Sequence, residues 1–191
     1  MIWAFCKVYQ SERHGLKKML DSLDSVDAIL LGDGRFPDSA WGTSDPKQIE
    51  AIHRRYPPGN KSTDGSKKLA ESNSKITWLD PPEQGYSSET EKMNIMLEKI
   101  PVDDWVLELD PDEVLVGNIR GAIPAIPCDI VSMRVVDVEG HSLYYSRLFK
   151  KKKGMSFATH HSLHYEQGVD VEQYNGKAPE NFYIRHERIE V

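Results

Sequence analysis

At 191 residues and a formal net charge of −6, from 24 basic and 30 acidic side chains, the chain lacks the dominant basic surface of a general nucleic-acid binder. Its 39% hydrophobic and 28% charged content excludes wholesale disorder. A chain this long suits one α/β domain that buries about 70% of its unfolded surface.

The elements follow in order. Residues 2–9 are apolar and β-prone and predict a first strand. From 12 to 23, Leu16, Met19, Leu20 and Leu23 recur at three- and four-residue steps, the spacing of an amphipathic helix. Residues 26–31 make a second short strand, ended by Gly32-Asp33-Gly34. Strand, helix and strand with short joints predict a parallel pair with a right-handed crossover. From 35 to 74 the signal weakens, with a short helix expected from Pro46 to Arg55 and a mobile surface loop over 57–66. Residues 75–79 are a third strand. Ser88 and Glu91 then form a capping box ahead of Met93, Met96, Leu97 and Ile100, whose methionines read as core filler.

Residues 103–116 carry the most information. Trp105-Val106-Leu107-Glu108-Leu109 has the composition of a buried strand, and Pro111 stops it. Asp110, Asp112 and Glu113 then crowd one strand end, where open α/β sheets bind ligands. Like charges that close repel, and a divalent cation relieves them, which points to a metal-dependent site for a phosphorylated ligand. The alternative is an ordinary polar turn, since Asp and Pro are common turn residues.

Beyond a Gly- and Pro-broken connection the chain turns mostly β. Residues 128–138 form a strand, 143–149 and 155–158 flank a basic tip at 150–154 as a hairpin, and 181–185 begin a last strand reaching His186. The crowd of His160, His161, His164 and His186 suits a metal shell, a phosphate contact, or ordinary structural imidazoles. No phosphate-binding Gly-Lys loop, dinucleotide glycine fingerprint or nucleophile elbow is present. No run approaches the ~20 apolar residues of a membrane span, and the N-terminus has no signal-peptide layout. Cys6 and Cys128 read as buried thiols in a reducing compartment, so a cytoplasmic location is expected.

These pieces together resemble a GT-A glycosyltransferase of the family 2 type. The resemblance rests on residues 4–12 with the following helix, on residues 27–34, on Lys92-Met93-Asn94, on residues 104–113, and on Ser146-Arg147-Leu148-Phe149-Lys150. It implies a mainly parallel central sheet flanked by helices with a small antiparallel addition. In a single domain over 1–191, residues 1–116 would bind the nucleotide sugar and 117–191 would form the acceptor side. The donor, a UDP- or GDP-sugar, would be held with Mn²⁺ or Mg²⁺, and a glycan, lipid or protein hydroxyl would accept the sugar with inversion.

By the same resemblance Asp33 would contact the base, and Asp110 the ribose or metal. Asp112 would be the direct metal ligand, with His186 or His161 as the later one. Lys7, Val8 and Lys92 would lie at the donor. Asp137, Glu139 and Glu166 are the candidates for the base that deprotonates the acceptor. The chain departs from the family where Gly34-Arg35-Phe36-Pro37-Asp38 replaces the usual Gly-Ser-Thr-Asp, and it has no clear Glu-Asp motif for the base. The rivals are a sugar-nucleotide-binding module without turnover, a nucleotidyltransferase, and a metal-stabilised interaction domain.

Overall fold

In the computed structural model, which describes residues 1–126, 128–159, 162–165 and 173–187, β1 (Ile2–Lys7) lies at the centre of a parallel set. It pairs on one side with β2 (Ala28–Gly32), which pairs in turn with β3 (Ile76–Leu79), and on the other side with β4 (Trp105–Leu109). The sheet then continues through later strands. These are β5 (Glu113–Val116), β6 (Ile130–Val136) and β7 (Ser142–Lys150), with β10 (Gln173–Lys177) and β11 (Tyr183–His186) further on. β7 reverses direction, pairing antiparallel with both β4 and β6, while β11 runs parallel to β6 and antiparallel to β5. The order is β3-β2-β1-β4-β7-β6-β11-β5, with β10 beside β6; β8 (Met155–Thr159) and β9 (Ser162–Tyr165) form a separate antiparallel pair. This is the α/β, mainly parallel sheet with an antiparallel addition expected from the sequence.

Side chains alternate across the sheet, as the two-residue period of a strand requires. Ala4 and Cys6 face Leu16 and Met19 of α1 (Leu16–Asp21), in a core that also takes Ile119 of α5 (Ile119–Ala122). Phe5, Leu30 and Val106 point the other way, under Met93 and Met96 of α4 (Glu89–Glu98) and Phe157 of β8. Both methionines are fully buried, the filler role their flexible side chains suit. Both cysteines are buried free thiols, and among the described residues no helix is long and apolar enough to cross a membrane.

Three local expectations are corrected. The helix over 12–23 is broken: a 3₁₀ turn, Glu12–His14, is separated from α1 by Gly15 at φ 88°, a conformation glycine adopts without steric cost. The break turns His14 inward, where it is buried. The hairpin at 150–154 does not form, because β7 pairs with β4 and β6 while β8 pairs with β9. Lys151 instead donates to the Leu97 and Ile100 carbonyls, satisfying the C-terminal end of α4. The loop at 57–66 is fastened, since Gln10 donates to Thr63 Oγ1 at 3.0 Å and accepts from the Thr63 and Asp64 N–H groups.

Candidate functional site

β1, β2 and β4 end on one edge of the sheet, and their continuations open a cleft of about 290 Å³. Lys7, Val8, Lys92, Asp110, Asp112 and His186, all singled out in the sequence, line it together. A neighbouring cavity of about 600 Å³ shares Asp110 and His186 and adds Asp137, Tyr145 and Arg147. Asp33 is not brought to the cleft wall; its buried carboxylate accepts from Ser62 Oγ at 2.6 Å and from the Ser62 N–H at 2.9 Å, anchoring the loop. His161 and Glu166 lie outside the described residues.

The strand-end turn is closed from within. Pro111 stops β4, the Asp110 N–H donates to Glu113 Oε2 at 2.8 Å, and the Glu113 N–H donates to the Asp110 carbonyl at 3.0 Å. Lys7 Nζ lies 2.8 Å from Glu89, 3.4 Å from Asp110 and 3.7 Å from Glu108. Arg147 lies 2.8 Å from Glu113, 3.4 Å from Asp110 and 3.7 Å from Glu108. Lys7 and Arg147 therefore sit among Glu89, Glu108, Asp110 and Glu113 at ion-pair distances. Burial, with the Asp110 charge added and Arg147 opposing, pushes the Glu113 carboxyl up to about 8. Burial also penalises the Lys7 ammonium, but Asp110, Glu108 and Glu89 outweigh it and raise its pKa.

Asp112 faces the cleft with longer contacts, 3.4 Å to His186 Nε2 and 3.8 Å to Arg55. The β5–β11 ladder makes this meeting possible: His186 pairs with Glu113 in register, and the Glu187 N–H donates to the Asp112 carbonyl at 2.7 Å. The hydrogen bond to Asp112 raises the His186 pKa. Lys92 is almost fully buried and donates to the Val8 carbonyl at 2.9 Å and the Gly34 carbonyl at 2.7 Å, tying the ends of β1 and β2 together. Burial lowers its ammonium to about 7.

The weakly patterned segment after β2 supplies an aromatic wall. Trp41 stacks on Tyr56 at 5.3 Å, Phe36 packs against Trp41 at 6.0 Å, and the His14 ring sits 5.5 Å from Tyr56. Asp38, where the chain departs from the family's motif, pairs with Arg35 at 2.5 Å and with His53 at 2.9 Å. Asp137 and Glu139 sit at an exposed turn with His141, their ligand atoms within 4.8 Å of one another. The Asp137 carboxylate accepts the Glu139 and His141 N–H groups, bonds that hold its pKa down despite some desolvation.

Sequence reasoning did not assign Glu89, Glu108, Glu113, Arg147, His14 or Arg55 a role in the site. Glu108 carried a signal, since a carboxylate inside an apolar strand needs buried cations. His14 carried none, because its orientation depends on the break at Gly15.

Among known proteins, no family model and no curated protein matches the chain. A solved structure, the crystal structure of S. aureus TarS, a glycosyltransferase, overlaps 74% of this chain at 16% identity and a TM-score of 0.43. The overlap spans 23% of TarS, so the chain matches less than a quarter of that protein's length.

Proposed function

We propose that the chain performs metal-dependent transfer of a sugar from a nucleotide-diphosphate donor to a hydroxyl acceptor. The observation that carries the reading is that Asp110, Asp112 and His186 line one cleft, Asp110 and His186 also bordering the larger cavity beside it. A site for two substrates needs its reacting groups at such a junction.

Asp110 and Asp112, with His186 beside Asp112, supply oxygen and nitrogen donors of the kind Mn²⁺ or Mg²⁺ would take, and a cation would have to draw them together, since among the described residues the ligand atoms already within 4.8 Å of one another are those of Asp137, Glu139 and His141. Such a cation would neutralise the charge of the departing nucleoside diphosphate. Lys7 and Arg147 flank Asp110, and His186 and Arg55 flank Asp112. Lys92, spent on two carbonyls, shapes the donor end by fixing the backbone at Val8 and Gly34. Asp137 borders the larger cavity on the acceptor side, and its hydrogen-bonded carboxylate is a weak base.

That last point favours a second reading, a nucleotide-sugar-binding module without turnover. Titration of UDP and GDP with and without Mn²⁺, followed by assay of sugar-nucleotide hydrolysis and transfer, separates the two. Metal-dependent binding is expected, and Asp112→Ala should weaken it at least about tenfold while the fold is kept. Binding that ignores the metal sinks both readings. Metal-dependent binding without hydrolysis or transfer leaves the second.

A further inference from the structure

His14 is 3% exposed, lines the cleft, and has no hydrogen-bond partner at either ring nitrogen. A buried polar group without a hydrogen bond is costly, and native chains tolerate such groups chiefly where something else completes them. The same wall repeats the pattern. Trp41 Nε1, Arg35 Nε and Arg55 Nε are also buried and without partners, and all three residues line the same cleft. The Arg55 carbonyl lies close enough to favour a protonated ring but meets no hydrogen-bond geometry with it. Burial and the Arg55 guanidinium together hold the His14 pKa below its ordinary value, so the ring is neutral at neutral pH. A neutral imidazole presents one N–H donor and one bare acceptor. A hydroxyl satisfies either, whereas a phosphate or carboxylate oxygen satisfies only the protonated nitrogen.

We propose that His14 is a specificity-determining residue that hydrogen-bonds a ring hydroxyl of the bound ligand, on either its pentose or its transferred sugar. The inference rests on the donor reading above. The wall's remaining N–H groups on Trp41, Arg35 and Arg55 suit the other oxygens of such a ring and its diphosphate.

Calorimetric titration with Mn²⁺ present tests it, using UDP or GDP, their 2′-deoxy and 3′-deoxy forms, and nucleotide sugars with and without the sugar 2-hydroxyl. Wild-type protein should prefer one hydroxylated ligand over its deoxy form by about tenfold or more, the value of one hydrogen bond. His14→Leu should bind the hydroxylated ligand about tenfold more weakly and lose the preference. His14→Asn should keep part of it, and it carries the test if the leucine variant does not fold. Loss already seen with the free nucleoside diphosphate assigns the contact to the pentose; loss seen only with the nucleotide sugar assigns it to the sugar. An unchanged preference in both variants overturns the proposal, as does an equal weakening of hydroxy and deoxy ligands. Wild-type protein that binds no nucleotide overturns the donor reading and takes this inference with it, a result distinct from failure of His14 alone.

Discussion

Behind the Asp110 turn, Lys7 and Arg147 thread between Glu89, Glu108, Asp110 and Glu113 at ion-pair distances. On the aromatic wall of the same cleft, His14, Trp41, Arg35 and Arg55 keep buried nitrogens with no partner. The first region is organised without a ligand, since its charges already restrain one another. The second is built on shape and stacking, and neither nitrogen of the His14 ring is hydrogen-bonded. The difference matters because substitutions should act in opposite directions on the two sides.

The largest effect is expected at Arg147. Its guanidinium is 3% exposed among three carboxylates, and Arg147→Met leaves those charges buried without their cation. Breaking a buried pair by removing one member costs about 3–5 kcal/mol. Glu113, its carboxyl pushed up to about 8, takes up a proton below that pH and softens the loss there. Urea unfolding at about pH 9 measures the full change; a loss below about 1 kcal/mol, the level of a surface ion pair, would remove the distinction between the two regions.

Lys92 comes next. Lys92→Met strands the Val8 and Gly34 carbonyls, for an expected loss of roughly 1–3 kcal/mol. Its pH signature is separate. The folded-state pKa of about 7 lies below the unfolded value, so the unfolded chain binds more protons between pH 7 and that higher value. Wild-type stability therefore gains a rising contribution from Lys92 as pH climbs from about 7 to about 10. Unfolding midpoints across that range should lose this rise in the methionine variant. Parallel pH profiles in the two proteins would show that burial does not lower the Lys92 pKa in the folded chain.

Legibility in the sequence followed the range of the interactions. Asp110 and Asp112 were readable because a proline ends an apolar strand between them, and His186 because it ends a short one. Helix α4 was readable from its cap, where Ser88 Oγ accepts the Glu91 N–H. The pairing of Arg147 with Glu113 was not, since it spans 34 residues and depends on β7 lying against β4. The basic tip misled for the same reason: strands that flank a glycine turn look local, yet β7 finds better partners in β4 and β6. The aromatic wall escaped notice because a segment broken by prolines has no period to read. His14 was hidden by periodicity that continues across Gly15 while the backbone does not.

The smallest effect, and the sharpest test of the contrast, is the stability of His14→Leu without ligand. Where Arg147 is truncated, charges lose a partner; where His14 is replaced, a buried group that had none is removed. Leucine is apolar and of similar reach, so the substitution relieves the desolvation of two unpaired nitrogens. Truncating a satisfied polar group would cost stability, but here the variant should unfold at the wild-type midpoint or be more stable by about 1 kcal/mol. Loose packing against Tyr56 works against that gain and limits its size. A stability loss above about 1 kcal/mol would mean that His14 already holds a partner in the free protein. The His14 ring would then be held in the free protein as the carboxylate turn is, and the two sides of the cleft would differ only in charge.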